Sequence, residues 1–245
     1  MIPFSPLYSQ YYDLLYAEKD YASEFRYVFD LLKEYSKIPI KSVLDIGCGT
    51  GRHLREFQKQ GLEIAGVDLS QSQIEQAKKA LGEKYLLQCA KAGEFSFDRK
   101  FDSIVSLFHV MSYQTSNDEL QNVFANVNEH LNTGGVFIFD FWHGVGVLSD
   151  PPAVRIKRLR NGDSQIIRLA EPTMQYSQNV VEVNYEIISG NENFKEQHRM
   201  RYLFEQELKL FAKLSGLEFI VTYQWLTKNS LGNAWYGVCI LRKLL

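Results

Sequence analysis

Apolar and polar positions along this chain fall into two regimes. Over roughly the first 140 residues, short apolar runs alternate with amphipathic segments. SVLDIG (42–47) predicts a buried strand, and residues 51–60 a helix with Leu54 and Phe57 on one face. EIAGVD (63–68) predicts a second strand, and 71–81 a second helix with Ile74, Ala77 and Leu81 in phase. A third strand is expected over 84–88 and a fourth in FDSIVSLF (101–108). A helix over 117–131 carries Leu120, Val123, Val127 and Leu131 in phase, and GVFIFDF (135–141) makes a fifth strand. Strands alternating with helices imply a parallel sheet covered on both faces.

The pattern changes after residue 143. HGVGVLSDPP (143–152) reads as a loop with Gly and Pro. VRIKRLR (154–160) then meets Asn161-Gly162, a hairpin signal, and VVEVNYEII (180–188) shows partial period-two alternation. Residues 153–203 are therefore expected to form an antiparallel β unit inserted after the fifth strand, serving as a substrate-binding lid or a dimerisation element. A helix over 204–214 and two closing strands return the chain to the main domain, 1–152 and 204–245. The expected fold class is α/β, a Rossmann-like doubly wound seven-stranded mixed sheet.

The strongest chemical feature is VLDIGCGTG (43–51). An apolar strand ends in Asp45, then Gly47, Gly49 and Gly51 lead into a helix. Glycines let the backbone turn tightly and approach a ligand, and the helix N-terminus offers unpaired N–H groups. Asp68 ends the second strand in GVDLS, placed to accept hydrogen bonds from the two hydroxyls of a ribose. A dinucleotide fingerprint would put glycine three residues after Gly49, where Arg52 stands. Asp45 is also awkward beside a pyrophosphate, but suits the ammonium of an amino-acid tail.

Composition sharpens this picture by exclusion. The net charge of −2 lacks the basic excess of a protein built to hold a nucleic-acid backbone. Cys48, Cys89 and Cys239 are widely spaced and show no metal-site pattern, so no metal is expected. MIPFSPLYSQ does not read as a signal peptide and no apolar stretch is long enough to span a bilayer, so a cytoplasmic protein without a membrane partner is expected.

VLDIGCGTG followed by GVDLS resembles the first two motifs of class I S-adenosylmethionine-dependent methyltransferases. The likeness covers roughly residues 8–141 and, more loosely, 198–242. YYDLLYAEKDYASEF (11–25) and RKFDSIVSLFHVMSY look, more narrowly, like the sugar N-methyltransferases that act on nucleotide-linked amino sugars. The resemblance implies S-adenosyl-L-methionine as cofactor, S-adenosyl-L-homocysteine as product and a small-molecule acceptor, the amino group of a nucleotide-linked sugar. It also implies a homodimer. Open beside it stand other O-, C- or N-acceptors and a non-catalytic protein that binds the cofactor.

The cofactor-binding candidates that follow are Tyr12, Tyr21, Asp45, Gly47, Cys48 and Gly49. To these are added Gly51, Asp68, Leu69, Ala90, Lys91, Leu107 and Phe108. Family members often carry an acid after the third strand to bind adenine; here Lys91 stands there, leaving backbone groups around Ala90 and Lys91 for that task. Ligands of open α/β sheets bind beyond the carboxyl ends of the strands. His109, Trp142 and His143 therefore border the expected acceptor pocket, together with Arg158 and Arg199 of the inserted unit. The catalytic candidates are His109, as general base or as a wall residue, with His143 and Tyr12.

Overall fold

A computed structural model describes residues 19–161, 164–190 and 192–244. The first helix among these residues, α1 (Tyr21–Tyr35), is capped by Asp20, whose carboxylate accepts from the Ser23 N–H. It buries Phe25, Val28, Leu31 and Leu32, spaced for one helical face. There follow β1 (Ser42–Ile46), α2 (Arg52–Lys59), β2 (Glu63–Asp68), α3 (Gln71–Leu81), β3 (Leu86–Cys89) and β4 (Phe101–Ser106). A 3₁₀ turn (Val110–Tyr113) leads to α4 (Asn117–His130) and β5 (Leu131–Trp142). The start of α4 is set by a reciprocal capping box between Ser116 and Glu119.

Among the described residues the main sheet has seven strands, in the order β10 (Leu217–Gln224), β11 (Tyr236–Lys243), β5, β4, β1, β2, β3. β1 pairs in parallel with β2 and β4, while β11 runs antiparallel to β5 and to β10. The strand order reverses at β1, where the glycine segment leaves the sheet. Two apolar layers cover the two faces: one includes Phe124, Phe137, Phe139 and Phe211, the other Phe25, Phe57, Val136 and Ile138. The alternation of Phe137 and Phe139 with Val136 and Ile138 is the period of two that a strand buried on both faces requires.

A second sheet holds β6 (Arg155–Asn161), β7 (Ser164–Gln175), β8 (Val180–Ser189) and β9 (Glu192–Arg201), in that order and antiparallel throughout. The chain then re-enters the main sheet through α6 (Glu205–Leu214).

Two local expectations are corrected. The Gly-containing stretch after β5 is not a loop at its start, for Gly144–Ser149 forms a short helix, α5. Its glycines serve close packing: a Cβ on Gly144 would lie 2.4 Å from the Phe204 ring, and one on Gly146 2.3 Å from the Ala234 carbonyl. β5 also begins earlier than residue 135, at Leu131, because Gly134 takes φ +80° and the chain continues pairing across a register shift.

Candidate active site

The carboxyl ends of β1, β2 and β4 open into a cavity of about 680 Å³, within the usual size range for small-molecule sites. One wall is the glycine segment. The Gly47 and Cys48 N–H groups donate to the Val67 carbonyl at 2.7 and 2.9 Å, which folds the segment back on β2. Gly47 sits at φ +78°, and a Cβ there would lie 2.4 Å from Val110. Glycine is thus required both by backbone conformation and by the close approach of the 3₁₀ turn.

Asp68 holds the opposite side of this wall. Its carboxylate accepts from the Gly49 N–H and the Ser70 N–H, each at 2.8 Å. Burial raises its carboxyl, and these backbone hydrogen bonds oppose the rise. Asp68 lines the cavity, and each carboxylate oxygen keeps acceptor capacity for a ligand hydroxyl.

Asp45 lies beneath, 1% exposed, and its Oδ1 has no hydrogen-bond partner among the described residues. Burial first, then the nearby charges of Asp68 and Asp140, push its carboxyl well above the ordinary range. A buried carboxyl left without a partner is costly. It fits a site completed by a cationic group, such as the ammonium of a bound amino-acid moiety.

The segment after β4 carries two non-glycine residues in the left-handed region, Phe108 at φ 69° and His109 at φ 64°. Such conformations cost on the order of 1–3 kcal/mol each and need external support. Asp140 supplies it: Oδ1 accepts from the His109 N–H at 3.0 Å, and Oδ2 lies 2.6 Å from His109 Nδ1. Burial alone would raise the Asp140 carboxyl, but the charge and hydrogen bonds of His109 outweigh it and hold it below the ordinary value. The His109 ring lies flat against Tyr236, 4.8 Å between centroids.

At the mouth, Lys19 Nζ stands 3.6 Å from the centre of the Phe108 ring and 2.9 Å from Glu24. Glu24 in turn meets His53 at 2.8 Å, and His53 packs edge-on against Tyr21. The start of α1 is thereby tied to α2 beside the cavity.

Tyr21, Gly47, Cys48, Gly49, Asp68 and Leu69 line the cavity, as do Ala90, Lys91, Leu107, Phe108, His109, Trp142 and Arg199. Asp45 is packed behind them, and Gly51 borders a shallower adjoining groove, where its Cβ would meet Leu81 at 2.7 Å. Tyr12 lies outside the described residues. Lys91 forms an exposed ion pair at 2.8 Å with Glu94, which also borders the cavity.

Two expected site residues are displaced. His143 is 4% exposed and does not line the cavity; its Nδ1 meets the Ala234 carbonyl at 3.0 Å. Side chains alternate along β5, and with Asp140 and Trp142 on one face, His143 falls with Phe141 on the other. Burial lowers its imidazole below the ordinary value, which the hydrogen bond to Ala234 only partly opposes. Arg158 is exposed on β6 and absent from the cavity wall. Two strands separate β6 from the β9 residues that do line it, a gap of about 14 Å at ordinary strand spacing.

The second sheet brings residues that spacing along the chain did not single out. Tyr185 of β8 and Gln197, His198 and Met200 of β9 complete the far wall, with Tyr113 facing them from the 3₁₀ turn. The period-two pattern of β8 was the one available signal, since it places Tyr185 with Val181 and Val183.

A family described as a methyltransferase domain matches residues 43–135. A dTDP-3-amino-3,4,6-trideoxy-alpha-D-glucopyranose N,N-dimethyltransferase of Streptomyces venezuelae is 30% identical over 212 residues, 84% of this chain and 88% of that protein. The chain belongs to the S-adenosylmethionine-dependent methyltransferases. A dTDP-4-amino-2,3,4,6-tetradeoxy-D-glucose N,N-dimethyltransferase of Saccharopolyspora spinosa is 30% identical over 57% of this chain and 56% of that one. In fold, an S-adenosylmethionine-dependent methyltransferase of Clostridium acetobutylicum superposes with a TM-score of 0.81 over 96% of each chain, at 22% identity. The family cofactor, S-adenosylmethionine, carries an ammonium of the kind that would suit the Asp45 Oδ1, which has no partner among the described residues.

Proposed function

We propose that this methyltransferase modifies the amino group of a nucleotide-linked sugar. The observation that carries the acceptor is the Streptomyces venezuelae relative, named for a dTDP-amino sugar and matched over 88% of its length. The architecture supports the reading: the cavity runs from the glycine segment to the second sheet, leaving an acceptor side beyond the cofactor side.

The bound cofactor supplies a methyl group on a positively charged sulfur. In this reading Asp45 meets its ammonium, Asp68 its ribose hydroxyls, and backbone groups of Ala90 and Lys91 its adenine. Tyr21 and Phe108 offer aromatic faces to a cation. Trp142 borders the acceptor side with an indole N–H that has no partner among the described residues. Arg199 stands at the same wall, held by Gln178 at 2.6 Å, and is suited to an anionic part of the acceptor. A methyl transfer of this kind needs alignment and desolvation above all. His109, fixed twice by Asp140, is built as a rigid acceptor wall; a base role is the alternative. The three unpaired thiols suit a cytoplasmic enzyme.

The test has two stages. Calorimetry should show binding of S-adenosylmethionine and S-adenosylhomocysteine and none of NAD(P)H. Methyl transfer from labelled donor should then appear on dTDP-amino sugars and be absent with dTDP-glucose. Equal transfer to dTDP-glucose, or transfer to neither, would refute the amine reading.

A further inference from the structure

The far wall of the cavity contains a hydrogen-bonded chain that links the 3₁₀ turn after β4 to β9 of the second sheet. The Tyr113 hydroxyl lies 2.7 Å from His198 Nδ1. His198 Nε2 lies 2.9 Å from Glu196 Oε1. His198 is 3% exposed and Glu196 2%, while Tyr113 and His198 both border the cavity. An ionised Glu196 can only accept, so the shared proton belongs on His198 Nε2. That leaves Nδ1 with a lone pair, which accepts from the Tyr113 O–H. Tyr185 packs edge-on against His198 at 5.0 Å, with the Arg168 guanidinium 5.2 Å from its ring centre.

The order of groups is a buried carboxylate, an imidazole in a fixed tautomer and a hydroxyl at the cavity wall. This is the logic by which a carboxylate orients a histidine to take a proton from a hydroxyl. Val110, three residues before Tyr113, packs against Gly47, so the hydroxyl is carried on the same turn that touches the cofactor segment.

We propose that Tyr113, His198 and Glu196 form a proton relay that deprotonates the acceptor, with Tyr113 as the catalytic residue and the other two positioning and charging it. The proposal rests on the amine reading of the acceptor. An amino sugar arrives as an ammonium, R–NH3+, whose nitrogen has no free pair. One N–H bond breaks and its proton passes to the Tyr113 oxygen, as the Tyr113 proton passes to His198 Nδ1. The imidazolium so formed is held by Glu196. The freed nitrogen pair then forms the N–C bond to the donor methyl, the C–S pair stays on sulfur, and the product leaves as R–NH2CH3+. The proton on His198 returns through Tyr113 to solvent once the cavity empties.

The test uses the full chain with saturating S-adenosylmethionine and dTDP-3-amino-3,4,6-trideoxyglucose as probe. Tyr113→Phe and His198→Gln should each lower kcat about 100-fold with KM for the probe unchanged, the low end of general acid–base contributions. Glu196→Gln, which keeps the shape but not the charge, should lower kcat at least tenfold. Donor affinity by calorimetry should be the same in all three. A kcat within threefold of wild type for Tyr113→Phe overturns the relay. If wild-type enzyme does not turn the probe over, the amine reading falls, and the relay is read separately by 15N NMR of labelled histidine. It requires His198 at pH 7.5 to be neutral with its proton on Nε2, and a shift of the Nδ1 signal in Tyr113→Phe. A His198 protonated on Nδ1, alone or doubly, overturns it.

Discussion

Two histidine–carboxylate pairs border the cavity, and they are built differently. His109 meets Asp140 at 2.6 Å, and His198 meets Glu196 at 2.9 Å. In the first, one carboxylate oxygen accepts from the backbone N–H of His109 and the other lies beside its ring Nδ1. The ring face is covered by Tyr236, and two left-handed residues are held in place. In the second, each ring nitrogen has a different partner, so the imidazole is a link and not an end. The contrast teaches that a buried carboxylate beside a histidine does not define a base. In the proposed relay it is the second ring nitrogen of His198, facing the Tyr113 hydroxyl, that gives the pair a route for a proton.

The sharpest attempt to break this contrast is the double variant His109→Ala with His198→Gln. If one pair shapes and the other transfers, their losses multiply, to about 10³-fold in kcat at most. A double variant no worse than His198→Gln alone would mean that the two pairs act as one unit.

Asp45, a carboxylate with no histidine at all, is the next control. Asp45→Asn should weaken S-adenosylmethionine binding at least tenfold, about 1.4 kcal/mol. The same change should raise the Tm of the free protein by roughly 4 °C, because it removes an uncompensated buried charge. The pH dependence has a definite sign. Burial, with Asp68 and Asp140, raises this carboxyl above its ordinary value of 3.8. The folded protein therefore binds that proton more tightly than the unfolded chain, and the contribution to stability fades as the pH climbs from about 3.8 through the raised value. Thermal melts against pH should lose this component in Asp45→Asn; unaltered melts would remove the argument.

Smaller effects follow. His109→Ala alone should lower kcat by less than tenfold; a larger loss would restore the general-base role to the first pair. Arg158→Glu should leave KM for a dTDP-amino sugar unchanged, whereas Arg199→Glu should raise it.

How much of this was legible in the chain depended on distance along it. The glycine segment, Asp45 and Asp68 lie within 26 residues of one another and are tied to a strand–turn–helix pattern that spacing alone reveals. The seven-stranded mixed sheet was legible for the same reason, since each strand announces itself by its own apolar run. Tyr113 and His198 lie 85 residues apart, one on the 3₁₀ turn after β4 and the other on β9 of the second sheet. No local pattern marks either one, because the pairing comes from how the second sheet returns over the first. His143 was misplaced by a single step of strand alternation, and α5 was missed because glycines that allow tight packing read locally as loop.

The buried Asp45, whose Oδ1 has no partner among the described residues, bears on turnover in the proposed reading. In the proposed reading Asp45 anchors the amino-acid tail, which S-adenosylmethionine and S-adenosylhomocysteine share, and so cannot tell fuel from ash. In that reading discrimination is left to whatever senses the charge on sulfur, and Tyr21 and Phe108, whose rings already lie against Lys19, would do so only weakly. The enzyme is therefore expected to be throttled by its own spent cofactor, its pace set by how quickly other enzymes clear it.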